Sequence, residues 1–419
     1  MRVFKFGGAS VKDVESIRNV AKVLDHTGYN NLVVVISAMG KMTNQMERVV
    51  DAYCNDSGTL ESELAAVYTF HYDIIEGLFP QKTHPIYGIF LGLLEDLKGF
   101  IKTNKSKERP FIYDQIVSFG ELFSTHILSA YLTDAGYKNS WLDARRCIKT
   151  DDNYRDPRVD WNLTQANISK YVDPEQLTVT QGFLGSETSH NFTTTLGREG
   201  SDYTAAIFGY CLNAQDVTIW KDVPGVLNAD PRHFEQTALL EQISYREAIE
   251  LAFYGASVIH PKTLQPLQRK EIPLYVRSFL KPEGKGTCVG KGKTLEPMIS
   301  CFILKKDQVL ISLSSLDFSF MVEDHIGDVF KWLHRFKMKV ELIQNSAISF
   351  SVCVDNKFNK LPELLIKLRE NFLVEYHENV TLYTVRHSVP QEIAKLTKGQ
   401  EVLLKQETQE TVQIVINQA

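Results

Sequence analysis

The sequence has few of the features that mark metal-binding, secreted, membrane or nucleic-acid-binding proteins. Its six cysteines are scattered over 419 residues, without a Cys-x-x-Cys pair or a histidine cluster at metal-ligand spacing. This predicts reduced thiols and no structural metal site. A formal net charge of −5 gives no general attraction to nucleic acid or to an anionic membrane. Because the N-terminus has no apolar signal region and no apolar run could span a bilayer, we expect a cytoplasmic protein.

The length of the chain predicts more than one domain. A single hydrophobic core stops growing well below 419 residues, so two or three domains are expected. Hydrophobic residues make up 43% of the chain, which is enough for ordinary globular packing. Since the net charge is negative, any anionic ligand has to be held by local positive groups.

The first ten residues combine features of a polyphosphate site. An apolar strand over residues 1–6 carries Lys5, runs into Gly7 and Gly8, and is followed by a predicted helix with Ser10 as its cap. Glycines let backbone N–H groups approach an anion, and the positive end of a helix favours it. The same pattern also fits an ordinary tight turn with a solvated lysine.

Strands and helices are predicted to alternate along residues 1–280. Continuous apolar runs of strand length are typical of strands buried in a parallel sheet. The predicted strands are 1–6, 32–36, 177–181, 216–220 and 272–277. Residues 43–108 are predicted to be mostly helical, with further helices over 114–133, over 202–212 and from Ser244 to Gly255. This order indicates an α/β fold, a three-layer αβα sandwich around a mainly parallel sheet.

Residues 281–419 differ in composition and in the predicted order of strands and helices. Residues 281–300 are rich in Lys, Gly, Pro and Thr, which predicts a linker. Residues 301–380 are predicted to form a small α+β unit of the order β-α-β-β-α-β. Residues 381–419 are predicted to form a reduced copy with three strands and one short helix after Pro390.

A second polar cluster follows the strand at 177–181. It reads Thr193-Thr-Thr-Leu-Gly-Arg198-Glu-Gly-Ser-Asp202, with three hydroxyls and an arginine between glycines at a helix start. The guanidinium of Arg198 can bind a carboxylate through two hydrogen bonds. Helix capping by Ser201 or Asp202 would explain those two residues, but it leaves the threonines and glycines unexplained. The cluster therefore favours a binding site.

Three further motifs contain candidate ligands. In Ser118-x-Gly-Glu121 a glycine interrupts an apolar helix, which indicates close approach of another group, and Glu121 could accept from an ammonium group. Asp222-Val-Pro-Gly225 and Asp230-Pro-Arg232 add two acids and an arginine in turns, although either could be plain turn chemistry.

Taken together, these motifs resemble the aspartate kinases of the amino-acid kinase superfamily. The resemblance covers almost the whole chain and rests on six motifs in the family's order. They are Lys5-Phe-Gly-Gly8, Ser118-x-Gly-Glu121, Thr194-Thr-Leu-Gly-Arg198-x-Gly-Ser-Asp202, Trp220-x-Asp-Val-Pro-Gly225, Asp230-Pro-Arg232 and Gly255-Ala-x-Val-x-His260-Pro261.

The resemblance implies a role for each site residue. Lys5 and Asp202 would be catalytic, with Lys5 neutralising charge on the transferred phosphoryl group. The residues implied to hold aspartate are Ser37, Thr43, Glu121, Thr195, Arg198 and Ser201. Those implied to hold ATP are Lys5, Gly7, Gly8, Ser10, Lys221, Asp222, Arg232, Ser257 and Val258. Mg²⁺ would arrive with the nucleotide, and no protein metal site is expected.

The chain departs from the family pattern at three places. Ala9 stands where the family usually has threonine, and Ser257 where it often has lysine, so Lys221 or Lys262 would supply that phosphate-binding cation. The tail resembles ACT domains, the family's amino-acid-binding units. Lysine-sensitive members commonly have a glycine before the first ACT helix, whereas this chain has Glu323 and Asp324. We therefore expect a weak response to lysine.

The implied function is an ATP-dependent aspartate kinase that makes 4-phospho-L-aspartate, the first step towards lysine (through diaminopimelate), threonine and methionine. Its partners would be aspartate, ATP and further copies of the chain, paired through ACT units as a homodimer or higher oligomer. Two alternatives stay open: a sibling acyl kinase acting on another amino acid such as glutamate, and a catalytically inactive amino-acid sensor. Glu121 with Arg198 argues against the first, and Lys5, Arg198 and Asp202 argue against the second.

Overall fold

The computed structural model describes residues 1–256, 259–316 and 320–417. The chain divides into two units. The first comprises Met1–Val226, Leu239–Ile249 and Val258–Leu295, and the second comprises Leu227–Ala238, Glu250–Ser257 and Glu296–Ala419.

Two sheets contain the strands of the first unit. The strands are β1 (Arg2–Phe6), β2 (Leu32–Ile36), β3 (Asn139–Leu142), β4 (Lys149–Thr150), β5 (Leu177–Gln181), β6 (Leu184–Glu187), β7 (Thr193–Thr195), β8 (Asp216–Lys221), β9 (Gln242–Ser244), β10 (Leu274–Ser278) and β11 (Thr287–Gly290). The main sheet has the order β3-β5-β2-β1-β8-β10-β11-β9, and β4, β6 and β7 form a small separate sheet.

The main sheet is parallel except where β10 and β11 pair antiparallel. In register, Lys5 of β1 lies beside Val35 of β2 and Ile219 of β8. The apolar run of β2 is buried along its whole length, as expected for a central parallel strand. The strands predicted from apolar runs are therefore confirmed.

Helices cover both faces of this sheet. They are α1 (Val14–Thr27), α2 (Met42–Asn55), α3 (Leu60–Leu78), α4 (Pro85–Thr103), α5 (Arg109–Val117), α6 (Phe119–Asp134), α7 (Ala144–Cys147), α8 (Trp161–Tyr171), α9 (Gly200–Cys211), α10 (Tyr245–Tyr254) and α11 (Pro261–Arg269). Phe4 and Phe6 join one large core with residues of α1 to α6. Lys5, which alternates with them along β1, points to the other face, where it pairs with Asp202 of α9.

Three details of the predicted first unit need correction. The helix predicted over 114–133 is two helices, α5 and α6, separated at Ser118. Ser10 does not cap a helix: it lies in a short 3₁₀ helix (Gly8–Val11), and Asp13 caps α1 by accepting from the Ser16 N–H. The predicted linker over 281–300 is wrong at Thr287–Gly290, which is strand β11 of the main sheet.

The second unit contains one antiparallel sheet. Its elements are β12 (Cys301–Ser315), α12 (Glu323–Arg335), β13 (Lys339–Asn345), β14 (Ser349–Asp355), α13 (Leu361–Leu368), β15 (Phe372–Arg386), α14 (Pro390–Thr397), β16 (Glu401–Glu407) and β17 (Thr411–Asn417). The strand order is β13-β14-β12-β15-β17-β16. This confirms the predicted β-α-β-β-α-β order, followed by a shorter part with the single described helix α14.

The two long strands β12 and β15 run through both parts of this sheet, so the parts share one continuous hydrogen-bonded surface. Helices α12 and α13 bury a core that includes Leu333, Phe350 and Leu364. Helix α14 packs through Ile393 on a smaller core with Val385 and Ile414. Across the described residues of both units, no helix is long and apolar enough to cross a membrane.

Candidate active site

A cavity of about 740 Å³ opens at the carboxyl ends of the central strands. Lys5 lies near the end of β1, Ser37 directly follows β2, and Lys221 ends β8. Because the carboxyl ends of parallel strands meet at one edge of the sheet, these side chains converge there, as ligand-binding groups do in many α/β proteins. The start of α9 completes this part of the wall.

Nine of the residues predicted for the site line this cavity. They are Lys5, Ser37, Thr43, Glu121, Thr195, Arg198, Ser201, Asp202 and Lys221. They come from β1, α2, α6, β7, α9, β8 and the loops between them, so the fold brings together residues that are up to 216 positions apart in the sequence. The cavity thus contains every residue predicted for catalysis or aspartate binding.

Lys5, Asp202 and Lys221 form a charged cluster in the wall. The Nζ atom of Lys5 lies 2.5 Å from Oδ1 of Asp202, and Nζ of Lys221 lies 3.9 Å from Oδ2. Asp202 is 2% exposed and sits in the first turn of α9, where the helix dipole favours a negative charge. Two cations against one carboxylate leave this cluster positive, which suits it to a phosphate group.

Glu121 lies in the first turn of α6 and is almost completely buried. Its Oε1 accepts a hydrogen bond from the Ala38 N–H at 3.3 Å, and its buried Oε2 has no hydrogen-bond partner in the described part of the chain. Burial raises the pKa of Glu121 to about 8, with the Ala38 hydrogen bond opposing the rise. An unpartnered carboxylate oxygen in a cavity wall is suited to accept from a ligand cation.

The glycine beside Glu121 has the steric role predicted for it. A Cβ at Gly120 would lie 3.1 Å from Cβ of Ala38, which is tighter than almost all such contacts. The glycine therefore lets α6 approach the Ser37–Ala38 backbone closely enough for Glu121 to reach the Ala38 N–H.

Asp114 holds Thr195 in place from behind the cavity wall. Its carboxylate accepts from Thr195 Oγ1 at 2.6 Å, from the Thr195 N–H at 2.9 Å and from the Arg155 N–H at 3.0 Å. Burial raises the pKa of Asp114 to about 6, and these three hydrogen bonds oppose that rise. Asp114 therefore connects α5 with β7 and with the loop that carries Arg155.

Glu199 links the start of α9 to the start of α11. It has left-handed backbone (φ +53°), and its Oε2 accepts from the His260 N–H at 2.9 Å. Its carbonyl accepts from the N–H groups of Asp202 and Tyr203, which begins the helix. The loop carrying Arg198 is thereby tied to the segment that precedes α11.

The cavity wall also contains residues that the sequence analysis did not assign. They are Tyr113, Arg155, Phe183, Gly197, Glu199 and Gly200. Both glycines and Glu199 lie inside the polar cluster at 193–202. Phe183 follows β5 at the same sheet edge, so strand order could have indicated it. Tyr113 and Arg155 belong to no recognised motif, and no signal in a single sequence points to them.

Among the residues predicted to bind nucleotide, Gly7, Gly8 and Ser10 do not line the cavity. A Cβ at Gly8 would lie 2.5 Å from the Gly40 carbonyl oxygen, so this glycine permits close packing of two backbone segments. Ser10 is buried in the 3₁₀ helix, and α1 begins only at Val14, so its positive end is not at Gly7 and Gly8 as predicted. Gly7 does lie next to Lys5: a Cβ there would be 3.4 Å from its Nζ.

The remaining nucleotide predictions fall elsewhere. Asp222 is exposed just after β8, and Arg232 belongs to the second unit, where its Nε donates to Asp230 at 3.0 Å. Ser257 and Val258 lie outside the described residues. Lys262 is occupied within the first unit, since its Nζ lies 2.7 Å from Asp156 Oδ1 and donates to the Leu196 carbonyl. Of the two lysines considered as the phosphate-binding cation, Lys221 is the one in the cavity wall.

The chain is similar in sequence and in structure to known proteins. Residues 1–278 match the Amino acid kinase family. The chain is 33% identical over 356 residues to the lysine-sensitive aspartokinase 3 of Escherichia coli (strain K12), which covers 84% of this chain and 78% of that protein. It is 30% identical over 368 residues to the chloroplastic aspartokinase 1 of Arabidopsis thaliana, covering 84% and 63%.

Solved structures of an aspartokinase match the whole chain. The crystal structure of E. coli aspartokinase III with lysine and aspartate in the T-state has a TM-score of 0.83 at 29% identity, covering 100% of this chain and 96% of that one. The R-state complex of the same enzyme with aspartate and ADP has a TM-score of 0.80 at the same identity and coverage.

The match over residues 1–278, together with the strand-edge cavity, places the chain in the amino acid kinase family. Within that family it belongs to the aspartokinases.

Proposed function

We propose that this chain is an ATP-dependent aspartate kinase whose active site is the cavity at the end of the main sheet. The reaction transfers the γ-phosphoryl group of ATP to the β-carboxylate of L-aspartate. A bond forms between a β-carboxylate oxygen and the γ-phosphorus, the bond from that phosphorus to the β,γ-bridging oxygen breaks, and ADP leaves. The acceptor carboxylate is already ionised at neutral pH, so the step needs no general base.

The observation that carries the proposal is that one cavity holds two kinds of group. The positive cluster of Lys5, Asp202 and Lys221 suits a phosphoryl group, while Glu121 and Arg198 suit the two charged groups of an α-amino acid. In this assignment Glu121 Oε2, which has no hydrogen-bond partner among the described residues, accepts from the substrate ammonium group. Arg198 binds the α-carboxylate through its two-pronged guanidinium.

The remaining wall residues orient the substrates. Ser37, Thr43 and Ser201 supply hydroxyls or N–H groups along the amino-acid side of the site. Thr195, whose O–H and N–H both donate to Asp114, can only accept a hydrogen bond there. Lys5 offsets the charge that builds up on the phosphoryl oxygens in a loose transition state, and Asp202 fixes its position by the ion pair. Catalysis then depends on positioning and charge, and no side chain of the site has to act as a covalent nucleophile.

Magnesium ion is expected to bind together with the nucleotide and to neutralise phosphate charge. The described residues contain no group of three or more His, Cys, Asp and Glu side chains that could hold a metal ion by themselves. Asp202, the carboxylate beside Lys5, fits a single protein contribution to a metal ion held mainly by phosphates.

The proposal extends to domain roles, assembly and setting. Residues 1–280, most of which belong to the first unit, form the catalytic domain, and residues 301–380 and 381–419, which belong to the second unit, form the regulatory ACT pair. Exposed apolar side chains on the second unit, such as Phe320 and Ile366, support assembly into a homodimer or larger oligomer. No cysteine of the described residues forms a disulfide bond, which supports a cytoplasmic location. The aspartokinase relatives support a place in amino-acid biosynthesis.

An acceptor panel tests this function against the alternatives. The purified full chain is assayed for ADP release from Mg-ATP with L-aspartate, with L-glutamate and without an acceptor. Aspartate kinase activity requires release that depends on aspartate and exceeds the glutamate rate. Glutamate-dependent release would instead identify a sibling acyl kinase, and no acceptor-dependent release at all would identify an inactive sensor.

A further inference from the structure

Arg155 lies in the wall of the active-site cavity on a loop with an unusual backbone. Its φ is +73°, a left-handed conformation that costs free energy for any residue with a Cβ. The Arg155 N–H donates to the buried carboxylate of Asp114 at 3.0 Å, which holds the loop in this conformation. Strained positions that the surroundings maintain are concentrated at functional sites, which indicates a functional role for Arg155.

The side chain of Arg155 is positioned by an aromatic ring. Its guanidinium carbon lies 4.1 Å from the centroid of Tyr113, and the Tyr113 hydroxyl is itself held by donating to Glu47 Oε1 at 2.9 Å. Stacking of this kind orders a guanidinium while leaving its N–H edge available. Among the described residues, the Arg155 guanidinium has neither a hydrogen bond nor an ion pair, so its donors are open to a ligand.

The loop places Arg155 beside the backbone that carries Arg198. A Cβ at Gly197 would lie only 3.0 Å from the Arg155 carbonyl oxygen. Asp114 also joins Arg155 to Thr195, three residues before Arg198. No ion pair connects Arg155 with the cluster of Lys5, Asp202 and Lys221 in the described residues. Its neighbours are thus those of the amino-acid side of the cavity.

We propose that Arg155 is a second substrate-binding arginine, which binds the α-carboxylate of the amino-acid substrate together with Arg198. This inference rests on the proposed function, because it assumes that the acceptor is an amino acid with a free α-carboxylate. The β-carboxylate has to face the Lys5 cluster to receive the phosphoryl group. The α-carboxylate therefore has to lie towards Arg155 and Arg198. Two guanidinium groups can each donate to one carboxylate, since its two oxygens have about four acceptor positions.

Variants at Arg155 separate the side chain from the backbone. Arg155→Gln removes the charge, and Arg155→Gly removes the side chain but accepts the positive φ without strain. Both are expected to raise the aspartate KM by about 10-fold or more, as the loss of a charge-assisted hydrogen bond does, and to leave the ATP KM within about 2-fold. Arg158→Gln is the matched control, because Arg158 lies on the same loop but outside the cavity wall.

The α-carboxylate is tested with an analogue in which an α-carboxamide replaces it. The ratio of kcat/KM for aspartate to that for this analogue is measured in the unmodified enzyme and in Arg155→Gln. We expect the ratio to fall by about 5-fold or more in the variant, because one of two carboxylate ligands has gone. Thermal unfolding of each variant shows that the proteins compared are folded.

Three results would overturn the inference: an unchanged aspartate KM in both Arg155 variants, an equal rise in the KM of ATP, or an unchanged analogue ratio. Each is read only against unmodified enzyme that phosphorylates aspartate. If that enzyme shows no aspartate-dependent activity, the proposed function fails; if it is active and the Arg155 variants match it, only the role of Arg155 fails.

Discussion

Glu121 combines burial with a place in the active-site wall, so its charge depends on what the cavity holds. With a pKa raised to about 8 by burial, it is mostly protonated at pH 7 in the empty site. A bound ammonium group favours the ionised form. Aspartate binding therefore becomes easier as pH rises towards 8, because less free energy is needed to remove the proton.

The pH profile of aspartate use tests this role of Glu121. We expect kcat/KM for aspartate to rise with pH, by up to about tenfold per unit well below pH 8, and to level off above it. Glu121→Gln is expected to have a lower kcat/KM for aspartate and to lose this rise with pH. The KM for ATP serves as the internal control. A flat profile in the unmodified enzyme, or the same rise in Glu121→Gln, would contradict the assignment.

Lys5 is the residue whose removal should affect chemistry more than binding. Lys5→Met takes away the cation that faces the transferred phosphoryl group, and a loss of about 10²–10³ in kcat is expected. Aspartate binding, measured by calorimetry without nucleotide, should remain within a few-fold. Lys5→Arg is the matched control because it keeps the charge beside Asp202. A near-normal kcat for Lys5→Met would rule out the role.

At the scale of elements, Asp114 connects α5, β7 and the loop of Arg155. Asp114→Asn puts an amide where the carboxylate accepts three hydrogen bonds, so at least one buried donor loses its partner. We expect a loss of about 1–3 kcal/mol in the free energy of unfolding, together with a higher aspartate KM. Denaturant unfolding and steady-state kinetics measure the two effects.

Asp152→Asn is the matched control for this prediction, because Asp152 is an exposed carboxylate on the same loop. A surface substitution of this type typically changes stability by no more than about 0.5 kcal/mol. If Asp114→Asn and Asp152→Asn have the same stability and the same aspartate KM, the three hydrogen bonds accepted by Asp114 contribute nothing measurable to either.

Elements with a strong local pattern could be predicted from the sequence. The apolar run of β2 gave its bounds directly, and the glycine of Ser118-x-Gly-Glu121 correctly indicated a close approach, which is that of Ala38. Strand β11 could not be predicted, because its Gly- and Lys-rich surroundings resemble a linker and its pairing with β10 is a non-local contact. The break at Ser118 has no proline to mark it, and the nearby Gly120 was interpreted as a close approach and not as a helix end.

Within the site, too, residues in local sequence patterns could be predicted and residues placed by non-local contacts could not. Residues in motifs, such as Arg198 and Asp202, were found because their neighbours are unusual. Arg155 stacks on Tyr113, 42 positions away, and donates its N–H to Asp114, 41 positions away. Such contacts leave no pattern in a single sequence. Gly8 shows that one glycine can fit two explanations: it is required by packing against Gly40, while its assignment to phosphate binding stays a prediction.

At the scale of the whole molecule, the second unit raises the question of regulation. Helix α12 begins at Glu323, and its first turn exposes Glu323 and Asp324 without a side-chain cap from Val322. Their charges would repel the carboxylate of an amino acid at this helix start. The shorter second part of the sheet has the single described helix α14, so it offers less surface than the first part for enclosing an amino acid.

We therefore predict a weak response to lysine alone. Initial rates are measured over a lysine titration with aspartate near its KM, and half-inhibition is expected only above the millimolar range. The double variant Glu323→Gln with Asp324→Asn should become more sensitive if the two charges are the cause. Half-inhibition of the unmodified enzyme at sub-millimolar lysine would show that the acidic turn does not block the site.

The identity of the phosphorylated group shows directly whether the chain phosphorylates the β-carboxylate of aspartate. The full chain is incubated with Mg-ATP, L-aspartate and hydroxylamine, which traps an acyl phosphate as a hydroxamate, and the product is compared with authentic α- and β-hydroxamates of aspartate. We expect the β-hydroxamate in equimolar amount with ADP, and almost none from Lys5→Met. Formation of the α-hydroxamate, or ADP release without any hydroxamate, would contradict the proposed phosphorylation of the β-carboxylate.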